Sequence, residues 1–298
     1  MPAKITLKEL TVFHYVVKYN TVKMAADHLH ITQSAASQAL LKLETILDSP
    51  LFDRHGRQLI LNENGRLLLP MAINILNSVQ EVENLFSTHP TAIKIGASTT
   101  IGNYIMPNML ALFRQHYPSS TLDMMVSNTD AIITAVANFD IDIGLIEGNC
   151  HHEDIIVKPW QDDELVMFKA FSKEQKYFDH QQLSSAPWLL REKGSGTRAI
   201  VERFLHAQLN QFQISMELGN SEAIKYAVAA GLGISCLSHY VVSDLLAQQK
   251  ISLIHCDLPK LTRQFYIITH RNKKRTQGMT RFIQLLESKE FIINCITA

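Results

Sequence analysis

Between Thr21 and Leu47 two helical patterns follow one another with room for only a sharp turn, and this spacing constrains the fold more than any other feature of the chain. Thr21 is placed to cap a short helix whose Val22, Ala25, Ala26 and Leu29 share one face and which ends at His30-Ile31. Thr32 then caps a helix over about 33–47, with Ala36, Leu40, Leu43 and Leu47 as one apolar stripe. Alanines on the first helix let the second pack closely, which is the arrangement of a helix-turn-helix. An earlier helix over about 7–19 follows from the Thr6/Glu9 capping box and the spacing of Leu7, Leu10, Phe13 and Val17. After Pro50, two short apolar runs flank His55-Gly56 and predict a small hairpin, a wing that presents Arg54 and Arg57.

The outward face of the 33–47 helix points to nucleic acid. A solvated helix usually pairs Glu with Lys four residues apart; this one carries Thr32, Gln33, Ser34, Ser37 and Gln38, with Lys42 a turn later. These side chains suit base edges and phosphate oxygens, and the positive end of the helix dipole favours phosphate. Together with Arg54 and Arg57 they form the expected DNA-binding set. Charge by itself is uninformative. The 298 residues hold 28 Lys and Arg against 28 Asp and Glu. Residues 1–66 carry eight basic and six acidic side chains, a surplus of two that the remainder offsets.

A third part begins at Asn62, which can cap a helix over about 63–86 with Leu68, Ala72, Ile75, Val79, Val82 and Phe86 in heptad spacing. Such a seam predicts pairing with the same helix of a second copy, and Pro70 should kink it near its start. Beyond Thr88-His89-Pro90 the pattern changes. Strands are predicted at 93–97, 122–126 and 141–146, with helices at 101–116 and 130–139, an alternation that implies a largely parallel sheet. A second set follows: strands at 164–169, 188–191, 214–218, 233–236 and 263–270, and helices at 197–209, 221–230, after His239 and at 280–289. Two α/β lobes imply a cleft, lined where helices begin after strand ends. That rule selects Ser98, Thr99, Thr100, Asn128, Glu147, Gly196, Thr197, Arg198 and Asn220, a cradle of hydroxyls, amides and one guanidinium suited to a small anion.

Residues 25–44, A-A-D-H-L-H-I-T-Q-S-A-A-S-Q-A-L-L-K-L-E, followed by L-F-D-R at 51–54, resemble the N-terminal domain of LysR-type transcriptional regulators. In the second half, A-S-T-T-I-G-N-Y-I-M-P (97–107), G-L-I-E-G (144–148), G-S-G-T-R (194–198) and E-L-G-N-S-E-A-I-K (217–225) are similar to the subgroup that regulates sulfur assimilation or carbon fixation. The resemblance implies an all-α winged helix-turn-helix over 1–62 and a dimerisation linker helix over 63–89. It also implies a two-lobed α/β effector domain like a periplasmic binding protein over 90–298, with one lobe at about 90–162 and 269–298 and the other at 163–268. Its implied partners are double-stranded promoter DNA and further copies of itself, as a homodimer or homotetramer, with RNA polymerase open as another. The implied ligand is a small oxyanion such as sulfite, an organic acid or a phosphate.

Other chemistries are expected to be absent. Cys150, Cys236, Cys256 and Cys295 lie far apart, as reduced thiols rather than a metal or disulfide frame. The adjacent ligand types in Cys150-His151-His152-Glu153-Asp154 diverge, so no metal is expected. No G-x-S-x-G elbow or nucleotide phosphate loop occurs, so neither an enzyme nor a cofactor is expected. Without an apolar leader or a membrane-length run, the chain reads as a cytoplasmic protein with no membrane partner. A solute-binding protein of a transport system is the alternative reading, and the N-terminal domain argues against it.

Overall fold

The computed structural model describes residues 4–55, 58–83, 92–173 and 177–288, and the side chains of Arg54, His55 and Glu81 are outside that description. The chain divides into two compact units, Met1–His89 with Asn272–Thr276, and Pro90–Arg271 with Gln277–Ala298.

In the first unit, α1 (Leu7–Tyr19), α2 (Val22–His28) and α3 (Gln33–Leu47) form as the spacing predicts. The Thr6 amide donates to Glu9 at 2.6 Å, Thr21 accepts from the Met24 amide, and Thr32 accepts from the Ala35 amide. Between α2 and α3 the chain turns sharply at His30, whose φ of 53° is left-handed, and the Ile31 amide returns to the Ala26 carbonyl. Ala25, Ala26 and Ala36 are buried at this crossing, beside Phe13, Val16 and Leu43. Small side chains there allow the backbones to approach, and the larger ones supply the apolar burial that holds the three helices together.

Strands β1 (Phe52–His55) and β2 (Gln58–Leu61) form the antiparallel wing, with Phe52 opposite Leu61 and His55 opposite Gln58. Phe52 packs on Phe13 with ring centres 5.6 Å apart. The linker helix α4 (Glu63–Glu83) starts where the Asn62 side chain accepts from the Gly65 amide, contains Pro70, and packs on α1. The expected seam needs correction in its first half. Ala72 is 0% exposed and Leu68 half-buried, because both face the unit's own core with Leu69 and Ile73. The apolar side chains left in solvent are Leu67, Met71, Ile75 and Val82, a stripe displaced by one residue at its start. Phe86, the last seam position, lies outside the described residues.

The second unit is built on a mixed sheet. β3 (Ile93–Ser98), β4 (Leu122–Ser127) and β5 (Ile143–Glu147) are parallel, as are β7 (Pro187–Arg191), β8 (Gln213–Leu218) and β9 (Ile234–Ser238). Between these groups run two long antiparallel strands, β6 (Ile155–Ala170) and β11 (Leu261–His270), and the short β10 (Ile251–Leu253) adds to β6. Each long strand serves both lobes. Ile155 and Phe265 lie in cores of the first, with α5 (Met106–His116), α6 (Thr129–Ala137) and α11 (Gln277–Leu286). Leu165 and Leu261 pack in the second, with α8 (Gly196–Leu209), α9 (Ser221–Ala229) and α10 (His239–Ala247) around it, and α7 (His180–Ser185) joins them.

Three departures from expectation have local causes. β6 is sixteen residues long, although only 164–169 reads as a strand. Its first half contains Pro159 and the polar run Gln161-Asp162-Asp163-Glu164, which mimics a loop, and pairing with β11 overrides that preference. The helix expected over 101–116 begins as one π turn, Ile101–Ile105, and regular α geometry resumes at Met106, where Pro107 falls in a first turn that tolerates its missing N–H. The helix expected to begin at Thr280 starts at Gln277. The short α7 and β10 carry no pattern long enough to be predicted.

Candidate functional sites: the recognition helix and the cleft between lobes

On α3, Thr32, Gln33, Ser34, Ser37, Gln38 and Lys42 are all exposed, opposite the buried Ala36, Ala39, Leu40 and Leu43. Thr32 spends its hydroxyl on the helix cap. Lys42 is anchored: its ammonium donates to Glu9 at 2.5 Å, and Glu9 at the same time accepts from the Thr6 amide. That arrangement lowers the carboxyl pKa of Glu9, chiefly through the Lys42 hydrogen bond. Lys42 therefore braces α1 against α3, and its charge is largely neutralised within the unit. Of Arg54 only the backbone, in β1, is described, and Arg57 lies outside the described residues.

In the second unit, the ends of β3, β5 and β7 meet the starts of the π turn, α6 and α8. Glu147, the last residue of β5, is buried at their centre. One oxygen accepts from the Ser98 hydroxyl and the Thr100 amide, each at 2.9 Å. The other accepts from the Thr197 hydroxyl at 2.5 Å and from Arg263 Nη1 at 2.7 Å. Burial pushes this carboxyl pKa up, but the Arg263 charge and the three hydroxyl and amide donors outweigh it and hold the value at about 2. Arg263 also donates to Thr100, to Thr197, and through Nε to Asp163, its cross-strand neighbour on β6. Ser238 completes the Asp163 shell at 2.7 Å. Here desolvation wins, and the Asp163 carboxyl lies above its ordinary value in spite of Arg263.

Ser98, Thr100, Glu147, Gly196 and Thr197 of the expected cradle are thus brought together, but their donors are already engaged by the chain's own oxygens. Ser98, Thr100 and Thr197 serve Glu147. The Gly196 amide donates to Thr129 Oγ1, whose hydroxyl bonds the Glu147 carbonyl, and the Asp130 amide donates to the Gly194 carbonyl. Gly196 is required by proximity, since a β-carbon there would overlap the Glu147 carbonyl. Arg198 is turned to Glu202, Glu217 and the Arg191 carbonyl, so its guanidinium is tied into α8 and β8. Asn220 caps α9 by accepting from the Ala223 amide.

A second guanidinium, which the sequence pattern did not single out, does touch both lobes, beside the partly exposed Glu192. Arg191 Nη1 donates to Thr99 Oγ1 at 2.7 Å and to Ser221 Oγ at 2.9 Å, while Nε and Nη2 hold the partly exposed Glu192. Asn128 donates to the same carboxylate at 3.3 Å. Burial raises the Glu192 pKa, but the hydrogen bonds and charge of Arg191 outweigh it and leave it below its usual range. Arg191 and Arg263 were missed because each sits at the end of an apolar strand and the partners that join it to the site, Thr99 and Ser221 for the one and Glu147 and Thr100 for the other, are distant in sequence. An arginine closing Trp-Leu-Leu-Arg, or opening Arg-Gln-Phe-Tyr-Ile-Ile, is the signal that marks them. Among the described residues no cluster of His, Cys, Asp and Glu suits a metal ion, and no helix is long and apolar enough to cross a membrane.

Two family descriptions match the chain: "Bacterial regulatory helix-turn-helix protein, lysR family" over residues 7–66 and "LysR substrate binding domain" over residues 89–290. The uncharacterized HTH-type transcriptional regulator YeiE of Escherichia coli strain K12 is 46% identical over 281 residues, covering 94% of this chain and 96% of that protein. A probable RuBisCO transcriptional regulator of Trichormus variabilis is 31% identical over 296 residues, covering 94% and 87%. The regulatory domain of CcmR from Synechocystis PCC6803, solved in complex with 2-PG, is 26% identical with a TM-score of 0.61, covering 66% of this chain and 95% of that one. With a reading head matched at one end and a two-lobed effector-binding domain matched over the rest, the chain belongs to the LysR family of DNA-binding transcriptional regulators.

Proposed function

We propose that this regulator reads an interrupted dyad in promoter DNA as a homodimer or dimer of dimers, and that a small anion bound between the lobes of its effector domain changes its grip on that DNA. α3 enters the major groove with Gln33, Ser34, Ser37 and Gln38 at base edges or phosphates, Arg54 and Arg57 reach from the wing, and α4 fixes the spacing of two heads. The effector is a small oxyanion such as sulfite, an organic acid or a phosphate; the 2-PG complex of the CcmR domain supports that class.

The observation that carries the anion reading is Arg191, a buried guanidinium that touches hydroxyls of both lobes and that, among the described residues, is paired with the partly exposed Glu192. An anion arriving at the rim can replace Glu192 on Arg191 and draw Thr99 and Ser221 onto itself, so that occupancy biases one arrangement of the lobes over another. The inner donors around Glu147 are saturated and act as the floor of the site. The test is a thermal-shift screen of the full chain against sulfite, sulfate, thiosulfate, phosphorylated sugars and small carboxylates, repeated on Arg191→Met. A shift in the wild type that the variant lacks is expected. An undiminished shift in Arg191→Met would move the site elsewhere, and no shift with any anion would reject this effector class.

A further inference from the structure

The reading face of α3 changes character along its length. Ser34, Ser37 and Gln38 are followed on the same face by Leu41, which is seven residues after Ser34 and four after Ser37, and is 62% exposed. The polar side chains next to it are engaged within the unit. Lys42 is drawn to Glu9, and Thr45 donates its hydroxyl to the Leu41 carbonyl at 2.7 Å. The third turn of an otherwise hydroxyl- and amide-bearing face is therefore apolar.

The major groove offers one apolar group, the C5-methyl of thymine. We infer that Leu41 is a specificity-determining residue that packs on a thymine methyl of each half-site, extending readout one turn beyond the polar positions. The inference rests on α3 lying in the major groove. Within that frame it makes base preference at one or two positions a matter of methyl burial rather than hydrogen bonding.

The test starts from duplexes selected by the full-length protein out of a random-sequence pool. Each thymine of the selected half-site is then replaced by deoxyuridine, which removes the methyl and keeps the pairing. Affinities are measured at one salt concentration for wild type, Leu41→Ala, Leu41→Met and Gln38→Ala. At one or two thymines the wild type should lose about fourfold per methyl, the factor for taking one methyl out of an apolar contact. Leu41→Ala should lose nothing on the same replacement, whereas Leu41→Met and Gln38→Ala should keep the effect. Because Leu41 is exposed, unchanged thermal unfolding of Leu41→Ala confirms that the head is intact. Equal deoxyuridine penalties in wild type and Leu41→Ala, or no thymine whose methyl matters, overturn the inference. A pool from which nothing is enriched rejects DNA reading by α3 itself, and Leu41 readout with it.

Discussion

Glu147 and Arg263 form an ion pair at 2.7 Å in which neither side chain is more than 2% exposed. Taking two charges out of water costs several kcal/mol each, and that cost is recovered only when every remaining donor and acceptor is satisfied. Here Ser98, Thr100 and Thr197 complete the carboxylate, and Asp163 takes the far side of the guanidinium. Arg263 also stands beside the irregularity in β11 between Gln264 and Tyr266, where the strand passes from one lobe to the other. The pair accordingly fixes the crossover and the floor of the cleft together.

Its pH dependence has a definite sign. Glu147 titrates at about 2 in the folded protein against 4.5 unperturbed, so its stabilisation is present above pH 4.5 and is lost as pH falls toward 2. Asp163 is shifted the other way, and its protonation on acidification offsets part of that loss. Glu147→Gln should cost about 3 kcal/mol at pH 7, with the gap from wild type about half as large at pH 3. Urea unfolding of the two proteins across that range measures it, and a gap that does not change with pH would refute the assignment.

Gly196→Ala should destabilise the effector domain by about 3 kcal/mol or more, because the added methyl meets the Glu147 backbone rather than a side chain that can move. Gly219→Ala is the control, with open space around its β-carbon. Comparable unfolding midpoints for the two variants would remove the close approach of α8 to β5 from the account.

How much of this was legible from sequence depends on the range of the forces involved. The helices of the reading head announce themselves through local periodicity and caps such as Thr21 and Thr32, whose partners lie three residues away. That Ser98, Thr100, Glu147 and Thr197 would lie together was legible because strand ends and helix starts converge in an α/β sheet whatever their partners. Arg263 was not, since its contacts with Asp163, Glu147 and Thr100 span 100, 116 and 163 residues. Arg198 stood out as the charge of G-S-G-T-R, yet its acidic partners Glu202 and Glu217 hold it away from the role that the motif suggested. The linker seam was misphased for a related reason: heptad spacing marks an apolar stripe, but which side of α4 meets α1 is decided by tertiary packing at Ala72 and Ile73.

Lys42→Ala should weaken DNA binding by destabilising the head and should leave the salt dependence nearly unchanged, because its charge is spent on Glu9. Arg54→Ala should instead lower the slope of log affinity against log salt by about one. Glu9→Ala should cost about 1–2 kcal/mol, since it removes the Thr6 cap and the Lys42 anchor at once. Binding titrations at several salt concentrations separate these cases, and a full unit of slope lost in Lys42→Ala would return it to the phosphate contacts.

The stripe Leu67, Met71, Ile75 and Val82 leaves four apolar side chains in water along one line of α4, at spacings of four, four and seven residues. Burial against the same stripe of a second copy gains roughly 25 cal/mol for each Å² removed from water, which several such side chains per helix convert into stable pairing. Met71→Glu with Ile75→Glu should therefore shift sedimentation from dimer toward monomer without unfolding the head, since both positions are exposed in the single chain. Ala72→Glu should unfold the head, because Ala72 lies in its own core at 0% exposure. A head engaging alone also forfeits the gain in effective concentration that links two half-sites, so the monomeric variant should lose about a hundredfold or more on a full dyad while binding an isolated half-site as the wild-type head does. An unchanged sedimentation profile for the double variant would exclude this stripe as the pairing surface.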